Sequence, residues 1–286
     1  MNSVYYWSPC LNKVGTYKAT INSAISLAKY SKNNFSVKLI NVCGEWENEK
    51  EFLIKNNVDV INLGLNYFKF LPKTGYFKSR FSYILIILLS ILPLIKLLVK
   101  NKPDFLIIHL LTSLPLILLK LIRFKTQFIL RISGYPKLNF FRKLLWKLVS
   151  KKIFRISCPS IDLMKQLSER DIFLESKIIF LPDPIIKVKN FAKKTNFVLE
   201  DENLSKENYF ISVGRLTKQK NFGYLIDEFK EFLHHDLNYK LLIFGEGEEK
   251  NFLEKKIKEN DLQKKIFLMG YSNKIYKYMR VCQMFY

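Results

Sequence analysis

The stretch from Tyr209 to Gly270 holds the residues best suited to chemistry. An apolar run, Tyr209-Phe210-Ile211-Ser212-Val213, ends at Gly214, and Arg215 follows at once; Lys220 comes just before an amphipathic stretch. A strand–loop–helix unit of this kind offers positive charge and backbone N–H groups to a phosphate. Arginine can grip two phosphate oxygens in a fork, and lysine supplies a point charge. The same cations would equally suit a solvated basic loop, since Lys+Arg number 47 against 25 Asp+Glu and the formal net charge is +22. Downstream, Leu241-Leu242-Ile243-Phe244 leads into Gly245-Glu246-Gly247-Glu248, which invites a dinucleotide-binding reading. The third glycine of that fingerprint is missing, and Glu246, Glu248 and Glu249 crowd the turn. Carboxylates there favour a helix dipole and repel a pyrophosphate, so a capping role is expected of them. No Walker A sequence occurs, which excludes a P-loop nucleotide hydrolase.

His109 closes the run Phe105-Leu106-Ile107-Ile108. That is the carboxyl end of a strand, where α/β proteins bind ligands, although a packed or capping histidine would sit there too. His234 and His235 end a surface helix and read as solvated. Cys10, Cys43, Cys158 and Cys282 are far apart and form no Cys-x-x-Cys, so no metal site is expected and reduced, buried thiols are.

These groups need a scaffold, and the apolar pattern supplies one. Strands are predicted at Val4–Trp7, Val37–Val42, Val58–Leu63, Phe105–Ile108, Phe128–Ile132, Ile153–Ser157 and Ile178–Leu181. Helical spacing of Tyr17, Ile21, Ala24, Ile25 and Ala28 follows Gly15, and further helices are predicted at Leu138–Val149 and Ile161–Ser168. Near-continuous apolar strands alternating with helices imply a doubly wound parallel sheet covered on both faces. From Pro182 to Asn208 the texture turns polar, and the alternation restarts at Tyr209. Phe222, Leu225, Ile226, Phe229, Phe232 and Leu233 then form one stripe. Strands at Lys240–Phe244 and Lys265–Met269, a helical turn near Tyr276 and a last strand starting in Val281–Tyr286 complete the reading. Three segments result: a Rossmann-like domain over 1–184, a linker over 185–208 and a partial second domain over 209–286.

A composition with 49% hydrophobic residues, 10 Gly and 9 Pro forms a core and is not that of a disordered chain. The charge favours anionic partners. Part of it reflects a bias towards Lys, Asn, Ile and Phe, and no zinc-finger spacing, RNP-type aromatics or long basic helix points to nucleic acid. The N-terminus lacks a charged stretch followed by a long apolar one, so the chain is expected on the cytoplasmic side. Phe81–Val99 and Phe105–Ile122 each approach bilayer-spanning length. Pro93 and Lys96 interrupt the first; His109, Pro115 and Lys120 interrupt the second. Three readings stand: a helix, a strand ending at His109 and a second helix within the α/β fold; a membrane hairpin; or an apolar helix lying on an anionic membrane surface.

Read together, Val213-Gly214-Arg215-Leu216-Thr217-Lys218-Gln219-Lys220-Asn221-Phe222, Ile243-Phe244-Gly245-Glu246-Gly247-Glu248 and Phe267-Leu268-Met269-Gly270 resemble the family-4 retaining glycosyltransferases, two-domain enzymes of GT-B fold. The front half resembles them more loosely. Its points of likeness are Gly15-Thr16, Lys102-Pro103-Asp104 before a strand ending at His109, Cys158-Pro159-Ser160 at a helix start, and Leu181-Pro182-Asp183-Pro184 at the domain boundary. The resemblance implies transfer of a sugar from a nucleotide-diphosphate donor to a polysaccharide or lipid-linked glycan acceptor, with retention, no obligatory metal and no further cofactor. It implies that Arg215 and Lys220 bind the donor diphosphate and stabilise the leaving group. Gly214 belongs to that loop, Gly15 lets backbone approach the phosphates, Gly270 and Tyr271 lie near the nucleotide base, and His109 is an acceptor-side candidate. A cytoplasmic location, peripheral at the inner membrane face, goes with it.

Two departures accompany the likeness. Arg131-Ile132-Ser133-Gly134-Tyr135-Pro136 stands where many relatives have a histidine. The family's paired glutamates would fall beyond Tyr286, so truncation with impaired turnover is expected. The alternatives are a non-catalytic remnant, a subunit completed by a partner chain, or a basic membrane-surface protein.

Overall fold

The computed structural model describes residues 1–11, 15–32, 34–64, 76–184, 208–272 and 274–285. Two units are distinguished, Met1–Ile185 and Ile186–Tyr286. Of the expected linker, only Asn208 lies among the described residues, where it opens a strand.

The first unit is built on seven parallel strands: β1 (Asn2–Trp7), β2 (Phe35–Asn41), β3 (Val58–Asn62), β4 (Phe105–Ile108), β5 (Gln127–Arg131), β6 (Arg155–Cys158) and β7 (Ile178–Phe180). Their order is β3-β2-β1-β4-β5-β6-β7. The chain therefore winds outward from β1 in one direction, crosses back to β4 and winds outward in the other. The crevice beyond the carboxyl ends of β1 and β4 is the topological switch point. Helices α1 (Gly15–Tyr30), α2 (Lys50–Lys55), α3 (Tyr76–Asn101), α4 (Ser113–Leu121), α5 (Phe140–Val149) and α6 (Ile161–Ser168) make the crossovers. Every one of Tyr17, Ile21, Ala24, Ile25 and Ala28 is buried, so the predicted stripe of α1 is its core face. One core forms beneath α1 around Tyr6, Leu39 and Trp46; another contains Trp7, Ile86, Leu106, Leu130 and Trp146. Asp104 accepts from both the backbone N–H and the hydroxyl of Ser3, tying the entry of β4 to that of β1, and these bonds hold its carboxyl below the usual range. Ser160 caps α6 by accepting from Leu163 N–H, as the Cys158-Pro159-Ser160 run led us to expect.

The apolar region resolves in favour of the α/β reading. Phe105–Ile108 pairs with β1 and β5 at the sheet centre, so the second run is no membrane helix. The first run is α3, which continues through Pro93. Ser82, Ile86, Ser90, Leu94 and Leu98 are buried at four-residue spacing, while Phe81, Ile84, Leu88, Leu92 and Val99 are exposed. By length and composition alone Arg80–Asn101 could cross a membrane. The helix α2 has no counterpart in the sequence reading: its six residues carry one fully buried side chain, Leu53, too little for a period to show.

The second unit holds β8 (Asn208–Val213), β9 (Tyr239–Phe244), β10 (Ile266–Gly270) and β11 (Met284–Phe285), all parallel, in the order β10-β9-β8-β11. Among its described residues the two longer helices are α7 (Phe222–Leu233) and α8 (Lys250–Glu259). Phe222, Ile226, Phe229 and Leu233 of α7 are buried with Leu241, Ile243 and Leu253. The last strand begins later than predicted. Val281 closes a helix, Ile275–Val281, and pairing with β8 starts at Met284. Here too the first strand lies inside the sheet, and its switch point falls between β8 and β11.

Candidate functional site

The loop leaving β8 at this second switch point runs Gly214-Arg215-Leu216-Thr217 into one turn of 3-10 helix, Lys218–Lys220. Asn221 then takes a left-handed conformation (φ 50°) and admits α7. That reversal folds Lys220 back over the start of the loop. A Cβ on Gly214 would lie 3.6 Å from Lys220 Cδ and 3.2 Å from the Phe222 ring. Both Arg215 and Lys220 are exposed, and neither has an ion-pair partner among the described residues. The structure thus brings Gly214, Arg215 and Lys220 together as one basic loop with its charge uncommitted. Between the two cations in the chain the Thr217 hydroxyl is buried and unpartnered among the described residues, a feature the sequence reading did not pick out.

Leu216 anchors this loop, being 1% exposed within the α7–α8 core. Its N–H donates to Glu246 O at 3.0 Å, its carbonyl accepts from Glu249 N–H at 3.0 Å, and Gly214 N–H donates to Phe244 O at 2.9 Å. The glycines of Gly245-Glu246-Gly247 exist for this contact. A Cβ on Gly245 (φ 148°) would lie 2.9 Å from the Gly214 carbonyl carbon and closer still to its oxygen; one on Gly247 would meet the Leu216 backbone. Loop packs on loop, backbone to backbone, which only glycine permits. The expected capping role is corrected: Glu249 occupies the cap of α8 without a side-chain cap bond. Gly270, at the end of β10, accepts from Gly245 N–H at 2.8 Å, and its own position (φ 69°) faces open space. Tyr271 beside it is 75% exposed.

In the first unit, Gly15 opens α1, and beyond its chain neighbours and its own helix backbone no atom of the described residues lies within 4 Å of where its Cβ would be. Packing among the described residues therefore does not require glycine there. Residues 12–14 of that loop lie outside the described residues. His109 follows β4, its N–H donating to Trp7 O at 2.9 Å, so it sits on the switch point of this sheet. Its side chain is buried and its Nδ1 finds no partner among the described residues. Burial, helped by the Arg131 guanidinium, pushes its pKa down to about 3, so the ring is neutral.

Arg131 answers the departure noted in the sequence. Buried at the end of β5, it donates to Leu181 O at 2.5 Å and to Asp183 Oδ1 at 2.6 Å. It pins the Leu181-Pro182-Asp183-Pro184 segment to the sheet, and a paired charge of this kind tolerates burial. Nothing in the spacing of 131 and 183 could have announced the pair. The four cysteines are free; Cys10, Cys43 and Cys158 are buried. Burial and the nearby Glu45 carboxylate push the Cys10 thiol up to about 12, which leaves it unreactive.

Residues 194–286 match the Glycosyl transferases group 1 family. The chain is similar to an uncharacterized glycosyltransferase of Methanocaldococcus jannaschii, 30% identical over 205 residues, or 65% of this chain and 50% of that protein. It is also similar to the N-acetylgalactosamine-N,N'-diacetylbacillosaminyl-diphospho-undecaprenol 4-alpha-N-acetylgalactosaminyltransferase of Campylobacter jejuni, 32% identical over 168 residues, 56% of this chain and 44% of that protein. The chain spans about half the length of these curated relatives. Among solved structures, Anabaena HepE in complex with UDP and glucose superposes with a TM-score of 0.64 at 11% identity, covering 100% of this chain and 73% of that one. The fold is GT-B.

Proposed function

We propose that this chain belongs to a retaining glycosyltransferase of family-4 type, which moves a sugar from a nucleotide-diphosphate donor to a polysaccharide or lipid-linked glycan acceptor. One observation carries the reading: Lys220 folds back over Gly214, next to Arg215 in the chain, and both cations are exposed without an ion-pair partner among the described residues, at the switch point of a segment that matches the group 1 model. Arg215 forks two phosphate oxygens and Lys220 adds a point charge. Gly270 and Tyr271 sit at the end of β10, two strands from β8, where the family resemblance expects the nucleotide base, and the open space at Gly15 suits backbone approach to the phosphates. The bond broken joins the anomeric carbon to the donor phosphate; the bond formed joins it to the acceptor oxygen. The acceptor's proton leaves with the diphosphate, whose developing charge the two cations stabilise. The residues named bind and stabilise without a metal or a further cofactor.

The test is calorimetric binding of UDP to the whole chain. Arg215→Ala and Lys220→Ala are each expected to weaken it about ten- to a hundred-fold, the loss of a charge-assisted hydrogen bond. Equal affinity in both variants would refute the assignment. Donor turnover with NMR of the product's anomeric proton then reads retention, and also tests the rival reading of a non-catalytic subunit.

The exposed stripe of α3 (Phe81, Ile84, Leu88, Leu92, Val99), next to Lys96 and Lys100, supports a second element: attachment to an anionic membrane surface on the cytoplasmic side. Co-sedimentation with phosphatidylglycerol vesicles, lost in Leu88→Glu with Leu92→Glu and weakened by salt, is the expected result; no sedimentation refutes it.

A further inference from the structure

A cleft of about 690 Å³ opens in the second unit between the first turns of α7 and α8, and the 3-10 turn of the basic loop contributes Lys218 to its lining. That volume is in the range of small-molecule sites. Two aromatic side chains enter it from different helices, Tyr224 from α7 and Phe252 from α8, each 52% exposed. Phe252 has a prepared seat. A Cβ on Gly223, in the first turn of α7, would come within 3.2 Å of the Phe252 ring carbon Cε1. Glycine is a poor helix residue, and here it lets the ring rest on bare helix backbone while half of the side chain stays open to solvent. The charged lining is balanced. Lys218 and Lys256 are positive, Asp227 and Glu249 negative, so the cleft is neutral in a chain of net charge +22. Lys256 Nζ donates to Asp227 Oδ2 at 2.7 Å, which fixes both groups and leaves each with hydrogen-bonding capacity to spare. Asn221 makes no side-chain cap bond to α7, which leaves its amide for the cleft. An anion meets as much repulsion as attraction here, and an apolar segment would strip water from four charges. A neutral, polyhydroxylated ring meets neither cost: its C–H face covers an aromatic ring, and its hydroxyls take up the spare donors and acceptors.

We propose that this cleft binds a neutral glycan, with one sugar ring stacked on Phe252 and its hydroxyls held by Asp227, Lys256 and Asn221. Through Lys218 the site adjoins the basic loop without using Arg215 or Lys220, so it is a docking site for sugar chain and no part of the donor site. The inference stands on the cleft's own chemistry; the transferase reading supplies only a reason for glycan to be near.

The probes are maltotetraose and chitotetraose, titrated separately into the whole chain and followed by saturation-transfer difference NMR. Saturable binding of at least one is expected. Phe252→Leu keeps apolar bulk but removes the ring, and should weaken that binding about five-fold, whereas Phe252→Tyr should retain it. Asp227→Asn should also weaken it about five-fold, through a lost charge-assisted hydrogen bond. Both positions are half exposed, so the urea midpoint read by far-UV circular dichroism should stay in place and keep the test decisive. No saturable signal from either tetrasaccharide, or Phe252→Leu binding as the parent does, would overturn the proposal. So would adenosine binding as tightly as the tetrasaccharide and equally weakened in Phe252→Leu, the mark of a site for a flat base. UDP binding is measured in parallel and should not change in Phe252→Leu. Its absence from the parent, with glycan binding intact, refutes the transferase reading alone; the reverse refutes this inference alone.

Discussion

Gly245→Ala is expected to unfold the second unit at a much lower urea concentration while leaving the first in place. The added Cβ would sit 2.9 Å from the Gly214 carbonyl carbon and nearer to its oxygen, a contact that backbone on both sides cannot relieve by a rotamer change. The φ of 148° itself belongs to glycine, at a cost of about 1–3 kcal/mol for any other residue. To make room the two loops must part, straining the bonds Gly214 N–H to Phe244 O and Leu216 N–H to Glu246 O, each worth about 1 kcal/mol. Leu216 would lose part of its burial in the α7–α8 core, at about 1 kcal/mol or more. The sum is about 4 kcal/mol, which at a urea slope of about 1.3 kcal/mol/M moves the midpoint by about 3 M. All three tryptophans, Trp7, Trp46 and Trp146, belong to the first unit, so their fluorescence reports on that unit and far-UV circular dichroism on both. The dichroism transition should shift or split with the fluorescence transition holding. Gly270→Ala is the control. Its φ of 69° is also strained, but its Cβ meets open space, so about 1 kcal/mol is expected. A Gly245→Ala protein as stable as the Gly270→Ala protein would refute the argument that loop contact, and not phosphate approach, demands this glycine.

Asp183→Ala should cost about 3 kcal/mol by fluorescence-monitored urea unfolding, because it leaves the buried Arg131 guanidinium without its counter-charge; a change below about 1 kcal/mol would show the pair to be dispensable. His109 gives the pH dependence. Its folded pKa of about 3 lies below the unfolded value, so the unfolded chain binds the proton first and stability falls as pH drops below about 6.5. Between pH 7 and pH 5 the parent should lose about 2 kcal/mol more than His109→Phe, and parallel stability–pH curves would contradict the neutral, buried ring. Gly15→Ala should leave the unfolding midpoint nearly unchanged and weaken UDP binding; a stability loss instead would assign the glycine to packing.

How much of this was legible beforehand follows from the range of each interaction. Strand and helix positions were readable because burial imposes a period on neighbouring residues: the stripe of α1 and that of α7 are written in consecutive turns. The basic loop was readable because Gly214, Arg215 and Lys220 are close in the chain, so their meeting needs only one turn and a left-handed Asn221. Helix α2 was not, because six residues are too few for periodicity, and the start of β11 was misplaced because a helical turn and a short strand share the same apolar letters. The sequence by itself determined the α/β class and the restart of the strand–helix alternation near Tyr209, and it singled out Gly214, Arg215 and Lys220 as one basic loop. Only the tertiary structure decided that Gly245 and Gly247 serve the contact with Gly214 and Leu216, that Arg131 holds Asp183, and that His109 is buried with Nδ1 unpartnered among the described residues. Each of these joins residues about 20 to 50 positions apart or depends on what a side chain lacks, and hydrogen-bond satisfaction and van der Waals contact act only over a few ångströms in space.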